Sequence, residues 1–115
     1  MRDRANILVK DGLSQVYLYT YRNGQKLPEI LRQALIRGRR RWDDGQYLAR
    51  IIFCEMIQGH ILGESGYGIS SKVLVGDDRI LEVNIDTQAV RVLLCGKPSG
   101  KFSFADYITE PREWK

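Results

Sequence analysis

One histidine, two cysteines, three prolines and no long apolar run set the first limits on what this 115-residue chain can do. A lone His60 cannot build a multi-histidine metal centre or a proton relay. A Cys-His nucleophilic pair needs mutual reach and an orienting third group, and nothing in the sequence supplies one. Cys54 and Cys95 stand far apart, in neither zinc-ligand nor Cys-x-x-Cys spacing. With no sign of export, they are expected as reduced, mostly buried thiols of a cytoplasmic protein. The longest apolar stretch, Ile51–Cys54, ends at Glu55, far short of the roughly 18 residues of a membrane span. The charged opening Met1–Arg4 leads into only a few apolar residues, so no signal peptide and no membrane partner are expected. No Gly-Lys-Ser/Thr ending follows the glycines of Gly63–Gly68, which removes a phosphate-binding loop. Helix-turn-helix, zinc-finger and RRM signatures are missing too, which argues against sequence-specific DNA reading.

What is present is a concentration of arginine. With 43% apolar and 28% charged residues, the chain has the composition of a folded domain and not of a disordered one. Its length suits one domain, 1–115, with a core of its own. The formal charge is only +4, yet Arg22–Arg50 holds eight Lys/Arg against three acids, and Ile51–Lys115 holds seven against nine. Within the basic sector, Arg37-Gly38-Arg39-Arg40-Arg41-Trp42 is the densest run. Arginines outnumber lysines twelve to six, and the guanidinium fork suits bidentate phosphate or carboxylate contacts better than an ammonium does.

The periodicity gives the elements. Residues 5–10 and 15–21 flank Asp11-Gly12 and predict a hairpin, with Tyr17, Tyr19 and Tyr21 on one strand face and Val16, Leu18 and Thr20 on the other. Pro28 in a first turn and Leu27, Ile30, Leu31, Ala34 and Leu35 at helical spacing predict a helix that Gly38 ends or frays. Asp43, with Gln46 three residues on, is expected to cap a second helix running to about Gly59. Tyr67–Ser71, Ile80–Asp86 and Val90–Leu94 read as strands, Gly76-Asp77-Asp78 as a turn, and 96–100 as a loop. Ser103 is expected to cap a short last helix carrying Phe104, Tyr107 and Ile108, ended by Pro111. The expected fold is α+β: an antiparallel sheet of about five strands with an αα-hairpin packed on one face, in the order ββ-αα-βββ-α.

Three constellations carry functional expectations. Arg37, Arg39, Arg40 and Arg41 at the apex of the helical hairpin suit an anionic partner, with Trp42 available to stack; a solvated helix end favoured by the helix dipole explains the same residues. Tyr17, Tyr19 and Tyr21 suit a protein interface, a homodimer or unpaired bases, or only cross-strand packing. Glu82, Asn84 and Asp86 on one strand face, with Asp77-Asp78 nearby, allow a Mg²⁺-dependent nuclease, although a solvated surface explains them better. No cofactor and no metal are expected.

Several short segments resemble a loose group of small uncharacterised bacterial, prophage and phage proteins. They are the Asp-Gly strand pair, Tyr17-Leu18-Tyr19-Thr20-Tyr21, Leu27-Pro28-Glu29-Ile30-Leu31, 41–52 (Arg-Trp-Asp-Asp-Gly-Gln-Tyr-Leu-Ala-Arg-Ile-Ile), Gly66-Tyr67-Gly68-Ile69-Ser70 and 103–108 (Ser-Phe-Ala-Asp-Tyr-Ile). Where that group carries a His-x-Asp-Gly-Tyr-Pro-like stretch, this chain has Tyr21-Arg22-Asn23-Gly24-Gln25-Lys26, so no site is inherited there. The resemblance implies a mobile-element setting, the host cytoplasm, and no enzyme activity. By analogy with other small phage proteins, it points to an inhibitor of host defence, anti-CRISPR proteins among them, acting on a host protein, a ribonucleoprotein complex or nucleic acid. An oligomeric binder of a small anionic nucleotide signal is the alternative among binding functions.

Overall fold

Asp11 and Ser14 close the first hairpin, leaving Gly12-Leu13 as a two-residue turn between β1 (Ala5–Asp11) and β2 (Ser14–Thr20). Gly12 has φ +60°, and a glycine with positive φ at the first of two turn residues is the type II′ pattern that fits strand twist. A computed structural model describes residues 3–63, 66–73 and 79–114 of the chain. After β2 come a short 3-10 turn (Gly24–Lys26), α1 (Leu27–Arg37), a second 3-10 turn (Arg39–Arg41) and α2 (Gly45–Met56). Then follow β3 (Tyr67–Ser70), β4 (Arg79–Asn84), β5 (Ala89–Leu94), β6 (Lys97–Ser103) and the one-turn α3 (Phe104–Tyr107). The expected turn at Gly76-Asp77-Asp78 lies outside the described residues.

The α+β class holds, but the sheet is six-stranded and mixed, in the order β3-β2-β1-β4-β5-β6. β1 pairs with β4 in parallel, from Asn6↔Ile80 to Lys10↔Asn84, and all other neighbours are antiparallel. The first hairpin leaves one edge of β1 open, and β4 fills it. β1 thereby becomes central, and Ala5 to Val9 are all buried. The sixth strand occupies residues expected as a loop. Pro98, Ser99 and Gly100 have low strand propensity, yet Cys95 and Gly96 both take positive φ, the type I′ pattern that returns the chain along β5. Pro98 and a register shift at Val92/Leu93 suit an edge strand. The observed order is ββ-αα-ββββ-α.

The helices share one sheet face. Ile7, Val9, Leu18, Leu81, Val83, Val90 and Val92 from the strands and Leu31, Leu35, Leu48, Ile52 and Phe104 from the helices form one core. Ser103 Oγ accepts from Asp106 N at 3.0 Å, the expected cap of α3. α3 and the tail after it strap down the start of α1 and the 3-10 turn before it: Tyr107 Oη donates to Pro28 O at 2.8 Å, and buried Trp114 donates through Nε1 to Gly24 O at 2.8 Å. The opposite sheet face presents Tyr17, Tyr19, Lys10, Glu82, Asn84, Arg91 and Lys101, residues that alternate with core positions. Cys54 and Cys95, expected to be buried, are both exposed: Cys54 is on the outward side of α2 and Cys95 in the β5–β6 turn.

Candidate functional site

The arginine run is shaped by the way α1 stops. Gly38 N donates to Ala34 O at 2.8 Å. A Cβ on Gly38 would sit 2.9 Å from Leu48 Cδ1 and 3.1 Å from Ile51 Cδ1, so glycine lets the end of α1 press against α2. Arg39–Arg41 then make a 3-10 turn, and Trp42 folds back beneath it. The indole donates from Nε1 to Leu35 O at 2.9 Å and meets Phe104 edge-on, ring centroids 5.4 Å apart. Trp42 is therefore a half-buried anchor of the turn, not an open stacking platform. Its anchoring leaves Arg39, Arg40 and Arg41 exposed.

The aromatic side chain among the arginines is Tyr47, 40% exposed. The Arg41 guanidinium lies 4.5 Å and that of Arg50 5.3 Å from its ring centroid, and Arg39 lies 5.9 Å from the Trp42 ring. Arg37, Arg39, Arg40, Arg41 and Arg50, with Ile36, Tyr47 and Ile51, line one shallow depression. Two of the five are ion-paired: Arg37 Nε to Glu55 at 2.8 Å, and Arg41 to Asp44 at 3.9 Å. Among the described residues Arg39, Arg40 and Arg50 pair with no carboxylate. Three uncompensated guanidiniums beside a half-exposed aromatic ring can bind anionic oxygens and a flat group together. The sequence reasoning missed Tyr47 and Arg50 as partners, although their i,i+3 spacing on a helix places them side by side.

Tyr17 and Tyr19 stand on β2, and Tyr21 just after it. All three are half-buried. Tyr19 lies over Gly68 of β3, where an added Cβ would meet its ring. Tyr19 and Tyr21 stand 5.4 Å apart, and Arg4 sits 5.3 Å from the Tyr21 ring. α3 packs on β5 and β6 and so does not cover them.

Glu82 on β4 and Asp86 in the turn after it do not converge. Glu82 is buried and accepts from Arg91 Nη2 at 3.1 Å; Asn84 Oδ1 accepts from Thr87 N at 3.2 Å; Asp86 Oδ2 accepts from Gly12 N at 3.0 Å. Asp77 and Asp78 lie outside the described residues, and among the described residues no group of three or more His, Cys, Asp or Glu is placed to hold a metal ion. His60 is exposed, 5.9 Å from the Tyr67 ring. The resolved titration shifts lie in the packing around the tail and β3. Burial raises the Tyr67 hydroxyl against an opposing bond from Asn23, and it raises Tyr107 strongly. Burial also pushes Asp3 and Glu29 up, but hydrogen bonds and arginine partners outweigh it and hold both below the usual carboxylate range.

Among the described residues no helix is long and apolar enough to cross a membrane. No protein-family model matches the chain, and neither curated proteins nor solved structures give a match.

Proposed function

We propose that this is a non-enzymatic binding protein that docks the Arg37–Arg50 apex onto an anionic surface of nucleic acid or a ribonucleoprotein, and so inhibits or modulates a host defence system, as anti-CRISPR proteins do. The observation that carries the binding part is the grouping of five arginines with Tyr47 along one depression, three of them without a carboxylate partner among the described residues. A helix dipole accounts for a base in the last turn of α1, such as Arg37. It does not account for Arg50, which lies mid-way along α2. The host-defence part rests on the resemblance to small phage proteins.

Phosphate contacts make affinity fall with salt, with a log–log slope of about −0.9 per phosphate neutralised on duplex DNA and about −0.7 on single strands. The variant Arg39→Ala/Arg40→Ala/Arg50→Ala removes the unpaired bases and leaves the Arg37–Glu55 and Arg41–Asp44 pairs in place. Binding to a short single-stranded RNA and to duplex DNA is measured across a salt series. The variant is expected to keep its melting temperature, bind at least tenfold more weakly, and lose about two units of slope on single-stranded RNA. A folded variant with unchanged affinity and slope removes the apex as the nucleic-acid interface.

A further inference from the structure

On the sheet face turned away from the helices, Lys10, Glu82, Asn84, Thr87, Ala89, Arg91 and Lys101 line a second hollow of about 260 Å³. We propose that it is a binding site for a dianionic phosphate, carried free or as the monoester end of a small molecule.

Three observations converge on this. Across β5 and β6, Arg91 stands directly opposite Lys101, and like charges in that position are destabilising unless something compensates them. The compensation within the protein is incomplete. Glu82 takes one bond from Arg91 Nη2, while among the described residues the buried Arg91 Nε finds no acceptor. Neither Lys10 nor Lys101 has an ion-pair partner among the described residues. Three bases and one carboxylate leave two positive charges over the hollow, the charge that a phosphate monoester near −2 neutralises. A single carboxylate ligand would leave one base unmatched.

The register explains the shape. β1 and β6 are three strand spacings apart, about 14 Å, with Asn84 of β4 and Ala89 of β5 side by side between them. Lys10 is in register with that pair and Lys101 with Arg91 in the adjacent row, so the two lysines face each other diagonally, and Ala89, with no side chain beyond Cβ, leaves a floor between them on which a ligand sits. Asn84 uses its Oδ1 on Thr87 N, and its amide N–H groups and the Thr87 hydroxyl add uncharged donors at the rim. The volume falls below the ~300–1,000 Å³ of sites that enclose whole drug-sized ligands. It fits a phosphate headgroup whose organic remainder projects into solvent. The site stands on the opposite sheet face from the arginine apex and does not depend on that reading.

Thermal shift and calorimetric titration at fixed ionic strength test it, with inorganic phosphate and 5′-AMP as dianions and 3′,5′-cyclic AMP as a monoanion carrying the same base. The dianions are expected to raise the melting temperature by several degrees at about a hundred times their Kd, and the cyclic nucleotide to bind at least tenfold more weakly. A larger effect of AMP than of phosphate identifies an organic monoester as the ligand; equal effects identify phosphate itself; both support the site. Lys10→Ala/Lys101→Ala is expected to melt at or above the wild-type temperature without ligand, because the opposition to Arg91 is relieved, and to lose the dianion response. The apex variant is expected to keep it. No response to either dianion, a response that survives Lys10→Ala/Lys101→Ala, a response lost in the apex variant instead, or equal binding of cyclic AMP would each overturn the assignment.

Discussion

Trp42 shows how one side chain can change role between a sequence and a fold. Beside four arginines it has the composition of a stacking platform, but the indole reaches back to Leu35 O and packs edge-on to Phe104. Its work is to hold the Arg39–Arg41 turn against α1. Trp42→Phe keeps an aromatic edge and removes the hydrogen bond, so it is expected to cost about 1 kcal/mol. Trp42→Ala also opens a cavity under the apex and is expected to cost about 3 kcal/mol or more. Urea unfolding of both variants checks the order, and equal losses would mean that the hydrogen bond, not the packing, anchors the turn. At this scale the charge of the site was legible, because Arg37, Arg39, Arg40 and Arg41 are contiguous in sequence apart from Gly38. Its aromatic component was not. Tyr47 follows the helical apolar pattern of Leu48, Ile51 and Ile52, and only packing shows that Leu48 and Ile52 turn inward while Tyr47 keeps a face to solvent.

Elements were legible where a local signal decides them and obscure where pairing does. The Gly12 turn, Pro28 in the first turn of α1 and the Ser103 cap each act over three or four residues, and each stands where the sequence puts it. The start of α2 shows the limit of such signals, since Asp43 and Asp44 are both capping residues. It is Asp44 whose Oδ1 accepts from Tyr47 N, at 3.2 Å, and Gly45 opens the helix. Asp44→Ala is therefore expected to cost about 1 kcal/mol, and exposed Asp43→Ala within about 0.5 kcal/mol of nothing. The reverse ranking in denaturant unfolding would move the cap back one residue. β6 was invisible for a different reason. Its Pro98-Ser99-Gly100 segment has no strand composition, and its place comes from the Cys95-Gly96 turn and from bonds to β5. The parallel β1–β4 pairing is likewise a matter of which edge the returning chain finds open, and no local pattern records that.

At the scale of the whole molecule, two carboxylates tie together segments distant in sequence. Asp3 Oδ2 accepts from Gln25 N at 2.9 Å and its other oxygen from Arg79, whose guanidinium also lies 5.2 Å from the Trp114 ring. Glu29 accepts from Arg32 Nη1 at 2.8 Å and Gln33 Nε2 at 2.9 Å through Oε2, and from Arg112 N at 3.0 Å through Oε1. Burial raises each carboxyl, these bonds outweigh it, and both titrate below their ordinary values in the folded protein. An unfolded chain regains pKa values near 4, so in acid it binds more protons than the folded chain does. The stability these groups contribute is therefore fully present above about pH 5 and is lost as pH falls through the folded values. Urea midpoints measured from pH 7 to pH 3 are expected to fall steeply only below about pH 5. Asp3→Asn and Glu29→Gln are expected to start lower at pH 7 and to show a shallower fall. Trp114→Ala serves as the contrast: it removes a buried ring from the same strap without removing a titrating group, so it is expected to cost about 3 kcal/mol or more at every pH. If the carboxyl variants instead follow the wild-type curve in parallel, acid sensitivity arises elsewhere in the fold, and the Asp3 and Glu29 contacts are structural but not linked to protons.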